Sequence, residues 1–336
     1  MIKFSEYFHS WLYEKDGYYG SYKTIGKEGD FYTSVSTSSF FGGAIALDII
    51  KTIKEGRLDK NSSIVEIGAH HGYLLADIIQ FIYTLEPKLL DTLNFVIVER
   101  FDTLQEQQKK YLEESFNKTI KLSFCKDIKE LKLPSAYILA NEIFDAFACE
   151  LVFTKDKILQ QAFVKDHKIH FITCKNKALI EHCKKYNITK GEVCLTYEDF
   201  INTLNQNIKH YDFLTFDYGD KHIRNDFSSR IYKKHEVHPL FEENIKLNNF
   251  YKKSDLTYDV HFNHLINLFS KDSSCETEFK TQMKALIDFG ILDLLEMLKE
   301  HTNDDVYLRE VQKVKTLIEP TGMGDRFKML KVSKYS

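Results

Sequence analysis

Acidic residues recur at one kind of place in this sequence. Glu66, Glu99 and Glu142 close, and Asp127 lies just past, the short apolar runs Ile64–Ile67, Asn94–Val98, Ala136–Ala140 and Ile120–Phe124 respectively. Runs rich in β-branched and aliphatic side chains suit buried parallel strands. A carboxylate at the end of each strand would bring these acids to one edge of a sheet, and ligands of open α/β sheets bind in the crevice outside the carboxyl ends. Taken singly, each acid also reads as a solvated surface residue.

Glu66 is the most informative of them. It precedes Gly68-Ala69-His70-His71-Gly72, after which Leu74, Leu75, Ile78, Ile79 and Ile82 recur at helical spacing. Glycine lets such a turn take unusual backbone angles and lets a ligand come close to the main chain, while the helix start offers free N–H groups. A carboxylate here would repel a pyrophosphate but suits a cationic or amino-bearing ligand. S-adenosylmethionine, with its sulfonium and α-amino group, is one. An ordinary strand-to-helix turn accounts for the same residues, because short glycine motifs recur by chance. Glu99 lies somewhat beyond the roughly 20 residues expected for the ribose-binding acid of a dinucleotide fold, and the intervening helix absorbs the difference.

The elements that position these groups alternate. Strand and helix patterns follow one another up to Asp145, which predicts a doubly wound, mostly parallel α/β sheet. Ahead of it, Phe4, Tyr7, Phe8, Trp11 and Leu12 form one apolar helical face. The polar run Lys27–Ser34 then leads into a helix over Phe40–Ile53, and it fits either helix caps or a loop that closes on a ligand. From Glu150 to Phe171 short alternating runs predict an antiparallel excursion, and residues 175–211 read as surface helix. Asp212–Phe216 returns to the parallel pattern and runs into Asp217-Tyr218-Gly219, Phe279–Leu298 reads as one amphipathic helix, and Met323–Val332 as a terminal strand. The expected segments are 1–53, an N-terminal helical lid with its Gly-Asp-Phe loop; 54–149, the first half of the cofactor core; 150–211, an insertion; and 212–336, the rest of the core with a substrate-side stretch.

Composition bounds the class. With 336 residues, 43% hydrophobic and 28% charged, the chain fits a globular protein of one or two domains. A net charge of -3, from 46 basic and 49 acidic residues, gives no global attraction for nucleic acid. The longest apolar stretch, Phe40–Ile50, is too short to span a bilayer. Met1–Ser10 has no secretory pattern, and Cys125, Cys149, Cys174, Cys183, Cys194 and Cys275 form no C-x-x-C pair, so the expectation is a cytoplasmic protein with reduced thiols. His235, His238, His261 and His264 raise a metal reading, but His235-Glu236-Val237-His238 is not H-E-x-x-H, and no metal is expected.

Read together, Gly17-Tyr18-Tyr19, Gly29-Asp30-Phe31-Tyr32-Thr33-Ser34, Val65-Glu66-Ile67-Gly68, Asn141-Glu142 with Asp145-Ala146, Asp217-Tyr218-Gly219, Asp255-Leu256-Thr257 and Met323–Phe327 resemble the MidA-like S-adenosylmethionine-dependent methyltransferases. Mitochondrial members of that family assist assembly of respiratory complex I. The resemblance implies a class I (Rossmann-like) methyltransferase fold with an N-terminal lid and an inserted antiparallel and helical substrate region. It implies S-adenosylmethionine as cofactor and arginine of a protein, a complex I subunit among the candidates, as acceptor; a homodimer stays open. By resemblance Glu66, Gly68 and Gly72 surround the methionine part of the cofactor, Glu99 takes the ribose hydroxyls, Asp127 faces the adenine amino group, and Thr33, Ser34 and Asn141 complete the cofactor set. Glu142 and Asp145 would clamp the acceptor guanidinium, with Asp30 and Asp217 behind them; helix capping is the alternative for Asp145. The chain departs from the family pattern at His70 and His71 in the glycine turn, at Ala148 in place of a proline, and in the order of Asp259 and His261. A binding-only assembly factor and an NAD-dependent oxidoreductase are the alternative functions.

Overall fold

The computed structural model describes residues 1–20, 33–117 and 119–335. The chain divides into two compact units, one of residues 33–143, 201–217 and 266–336, the other of residues 1–32, 144–200 and 218–265.

The first unit, the core unit, is built on strands β1 (Ser63–Ile67), β2 (Asn94–Val98), β3 (Leu122–Cys125), β4 (Leu133–Leu139), β5 (Ile208–Asp220), β6 (Cys275–Thr281) and β7 (Phe327–Lys334). Their order across the sheet is β3-β2-β1-β4-β5-β7-β6. The pairs from β3 to β5 are parallel, while β6 runs antiparallel to β7. Parallel neighbours need crossover connections: α2 (Tyr73–Leu85) links β1 to β2 and α3 (Asp102–Phe116) links β2 to β3, while α1 (Phe40–Lys54) precedes β1, and α4 (Gln282–Asp288), α5 (Ile291–His301) and α6 (Asp304–Ile318) lie between β6 and β7. Strand residues Ile64, Phe95, Ile97, Tyr137 and Leu139 share one apolar cluster with Phe41, Ile45 and Ile49 of α1 and Ile78, Ile79 and Ile82 of α2. A Cβ on Gly42 would lie 2.6 Å from Asp77 Cβ, so the close approach of α1 and α2 requires that glycine.

A charged network is buried in the same unit. Lys331 Nζ on β7 lies 2.5 Å from Asp48 Oδ2 on α1 and 3.4 Å from Asp212 Oδ2 on β5. The Tyr137 hydroxyl donates to Asp48 at 2.6 Å, and Thr52, Ser333 and Tyr335 donate to Asp212. Buried charges survive only when paired and hydrogen-bonded in this way.

The other unit holds an antiparallel sheet of Ile2–Lys3, Ile158–Lys165, Glu150–Lys155 and Lys190–Val193, with Lys168–Thr173 paired to the second of these. A separate three-stranded sheet runs in the order Glu236–Pro239, Arg230–Lys233, Asp255–Thr257. The helix Phe4–Tyr13 buries Phe4, Tyr7, Phe8, Trp11 and Leu12, and Trp11 Nε1 donates to Ser254 O at 2.8 Å.

Several expected elements differ. Phe279–Leu298 is not one helix: Phe279 pairs with Leu330 in the β6–β7 ladder, the Thr281 side chain caps α4, and Gly290 at φ +94° separates α4 from α5. Residues 175–211 contain helix, the strand Lys190–Val193, and a second helix, because that strand completes the antiparallel sheet beside Glu150–Val152. The terminal strand begins at Phe327 rather than Met323, which lies in a helical turn over Pro320–Gly324. Helix α1 and strand β5 run across the segment bounds expected at 53 and 211.

Candidate functional site

The switch in strand order falls between β1 and β4, where an open α/β sheet leaves a crevice at its carboxyl edge. Glu66 stands there, with Ile97 of β2 and Leu139 of β4 as its ladder partners. The chain leaves β1 through Gly68 at φ +72° and enters α2 at Gly72, φ +77°. Both are left-handed positions where a side chain would be strained. The Gly68 N–H donates to Val98 O at 3.0 Å, which fixes the turn against β2.

Glu66 is only 5% exposed, and its Oε2 has no hydrogen-bond partner among the described residues. Burial pushes its carboxyl up to about 8; the Leu75 N–H it accepts opposes the rise and nearby Asp77 adds to it. Burial also raises Asp77 to about 7. A buried, uncompensated carboxyl is costly to ionise until a cation arrives.

Glu99 follows β2, its own N–H bonded to Cys125 O at 2.9 Å. Its Oε1 accepts from the Phe101 N–H at 3.0 Å, and Gln108 Nε2 reaches its Oε2 at 3.5 Å while donating to His70 O at 2.8 Å. Burial raises this carboxyl too, against the pull of those hydrogen bonds. Gln108 therefore ties the glycine turn to Glu99, and the sequence reading missed it. Its signal was a glutamine between Leu104 and Leu112 on the buried stripe of α3, where it is fully buried.

Beyond β4, the Ala140 and Glu142 N–H groups donate to Leu214 O and Phe216 O of β5, both at 2.9 Å. Asn141 Nδ2 donates to Glu142 Oε1 at 3.0 Å, and Asn141 Oδ1 is buried without a partner among the described residues. Glu142 has φ +51°, an uncommon position for a residue with a side chain. Such strain persists where surrounding structure imposes it, commonly at functional sites. The two histidines of the turn pack their rings 4.0 Å apart, and His71 stacks on Tyr73. Burial lowers the His71 pKa, so it adds no positive charge near a cationic ligand at neutral pH.

Asp127 follows β3 where that strand pairs with the end of β2, and Asp217 follows Phe216 of β5, whose carbonyl accepts from the Glu142 N–H. Asp127 is exposed and its Oδ1 accepts from the Lys129 N–H at 2.9 Å, capping a short helical turn. Thr33 caps the helix Ser34–Thr37, and the buried Ser34 hydroxyl donates to Gln282 Oε1 at 3.0 Å. Asp217 is fully buried in the core unit. Asp145 is buried in the other unit, within the single turn Phe144–Ala146; the chain then enters strand Glu150–Lys155, so no α-helix follows for it to cap. Asp30 lies outside the described residues. His235 sits in a hairpin turn, His238 contacts Glu236 and Glu242, and His261 packs on Tyr186. Among the described residues no group of three His, Cys, Asp or Glu side chains is arranged to hold a metal.

What gathers at the edge of β1, β2 and β4 is thus a glycine turn, two buried carboxyls and an Asn-Glu pair. This set fits S-adenosylmethionine: the open oxygen of Glu66 suits a sulfonium or ammonium, and Glu99 retains lone pairs for a vicinal diol. The strand order and this edge define a class I methyltransferase. A crystal structure of a "likely methyl transferase from Burkholderia thailandensis bound to S-adenosyl-homocysteine" has the same fold, with a TM-score of 0.85 at 18% identity over 99% of this chain and 88% of that one. A native structure of a Burkholderia thailandensis protein of the same superfamily gives 0.80 at 18% identity, over 99% and 87%. The profile of the family described as "Putative S-adenosyl-L-methionine-dependent methyltransferase" matches residues 44–280, and the chain belongs to that family. Among curated relatives, the protein arginine methyltransferase NDUFAF7, mitochondrial, of Homo sapiens is 24% identical over 93% of this chain and 75% of its own. The Drosophila melanogaster homologue is 23% identical over 94% and 77%.

Proposed function

We propose that this protein transfers a methyl group from S-adenosylmethionine to an arginine side chain of another protein. The observation that carries the reading is the Asn141–Glu142 pair, an acidic side chain held by its neighbour at 3.0 Å and by its own N–H on β5, on the same sheet edge as Glu66. The names of the curated relatives support arginine as the acceptor.

When bound, the cofactor supplies an electrophilic methyl group on a sulfonium. Glu66 would hold the cationic methionine end and Glu99 would accept the ribose hydroxyls, with Gly68 and Gly72 giving close access to the main chain. Asp127, Thr33 and Ser34 are the outer cofactor candidates. Glu142 would hold the guanidinium through its fork of donors and take the proton that leaves nitrogen, while the methyl passes to nitrogen as its bond to sulfur breaks and S-adenosylhomocysteine is left. Asn141 positions Glu142. A respiratory complex I subunit is the acceptor that the sequence resemblance points to.

The test is transfer of labelled methyl from S-adenosylmethionine to purified complex I subunits, with the modified residue found by mass spectrometry. Glu142→Gln should lower kcat by at least about 100-fold, the usual scale for a positioned acid or base, with cofactor affinity within about twofold. A wild-type protein that binds S-adenosylmethionine and methylates nothing would leave the binding-only function in its place.

A further inference from the structure

Polar atoms buried without partners mark the cofactor edge of the core unit, at Glu66 Oε2, Asn141 Oδ1 and Gln108 Oε1. The same signature recurs in the other unit on one face of its three-stranded sheet. Arg230 and Thr257 are directly opposed in that antiparallel ladder, so their side chains project to the same side. Among the described residues, Arg230 Nη2 and Thr257 Oγ1 are both buried with no hydrogen-bond partner. Thr257 is 4% exposed as a whole residue.

The surroundings hold these two groups ready. Arg230 Nη1 donates to Asp259 Oδ1 at 2.6 Å and its Nε to the Tyr232 hydroxyl at 3.0 Å, while the guanidinium carbon stands 4.9 Å from the centre of the Tyr218 ring. Glu192 fixes the start of the strand by accepting from the N–H and hydroxyl groups of Ser228 and Ser229 at 2.6 to 3.0 Å. Asp255, two residues before Thr257 and therefore on the same face, accepts from the Tyr19 hydroxyl at 3.0 Å. A guanidinium N–H and a hydroxyl, carried by directly opposed residues on one sheet face, each suit an oxygen acceptor. Asp259 already neutralises Arg230, and Asp255 would repel a second anion. The complementary ligand is consequently a neutral carbonyl rather than a carboxylate or phosphate.

We propose that Arg230 Nη2 and Thr257 Oγ1 bind a main-chain carbonyl of the acceptor polypeptide, so that the methylated residue is recognised within a peptide and not as a free amino acid. This deepens the protein-substrate reading above and rests on it. Main-chain recognition is independent of side-chain sequence, which fixes the probe: fluorescein-labelled short peptides with a central arginine between randomised flanks, followed by anisotropy on the full chain with S-adenosylhomocysteine present. Thr257→Val keeps the β-branched shape and removes only the hydroxyl; it should weaken peptide binding about tenfold, the scale of one hydrogen bond. Thr257→Ser should restore affinity to within about threefold. Displacement by free arginine should be equally weak for wild type and variant, and S-adenosylhomocysteine affinity and melting temperature should not fall in Thr257→Val. Unchanged peptide affinity in Thr257→Val, no peptide binding by the wild type, or a lower melting temperature with Thr257→Val would each overturn the proposal. The reading it rests on fails separately, through absence of methyl transfer.

Discussion

Replacing Glu66 with glutamine changes the charge at the cofactor edge and leaves its shape. Glutamine keeps an oxygen for the Leu75 N–H and cannot ionise. Burial lifts the wild-type carboxyl from an ordinary 4.5 to about 8, so between these values the folded chain binds a proton that the unfolded chain has released. The native state then holds more protons, and stability must fall as pH rises through that window. At about 1.36 kcal/mol per unit, the penalty approaches a ceiling of about 5 kcal/mol by pH 8. Glu66→Gln lacks it. Melting curves of the ligand-free proteins from pH 5 to 9 should therefore diverge by several °C, the wild type falling relative to the variant up to pH 8 and then running parallel. Asp77, also raised by burial, slopes both curves alike. S-adenosylmethionine inverts the order, because its cation stabilises the ionised carboxylate. The wild type should release up to one proton on binding near pH 7, seen by calorimetry in buffers of different ionisation enthalpy, and Glu66→Gln should release none and bind about tenfold or more weakly. Parallel pH profiles for the two proteins, or proton uptake on binding, would refute the role given to Glu66.

Two further perturbations probe the support around it. Gln108→Leu extends the apolar stripe of Leu104 and Leu112 and removes the donor to His70 O and Glu99 Oε2; cofactor affinity should drop about five- to thirtyfold, one or two hydrogen bonds' worth, with the fold intact by circular dichroism, and an unaltered Kd would remove Gln108 from the site. Lys331→Met leaves Asp48 and Asp212 buried without their shared ammonium; loss of one partner of a buried pair costs about 3–5 kcal/mol, read as a lower urea midpoint, and a midpoint at or above that of the wild type would show that the network tolerates its absence.

The parallel strands were legible because each is a compact apolar run that ends in an acid, and β1, β2 and β4 carry Glu66, Glu99 and Glu142 to one edge as that pattern implies. Elements whose partners lie far away in sequence were not. The Lys190–Val193 strand is too polar to stand out and exists because Glu150–Val152 offers it an edge. The stretch from Phe279 keeps helical periodicity across Gly290, yet its first residues are drawn into the ladder with β7. Gln108 was invisible as a site residue because its meaning depends on His70 and Glu99, which only folding brings to it. The same holds for Arg230 and Thr257: a cross-strand register cannot be read from composition.

The burial of Lys331 also sets a condition on biosynthesis. The ammonium and hydroxyl groups that make the burial of Asp48 and Asp212 tolerable, from Lys331, Ser333 and Tyr335, lie far downstream of both carboxylates and are translated well after them. Domains tend to form as the chain emerges, N-terminal parts first, yet here the core unit cannot close around its two carboxylates while residues 331–335 are still inside the ribosome. Until then α1 and β5 present an incomplete, partly apolar assembly whose two carboxylates still await their partners.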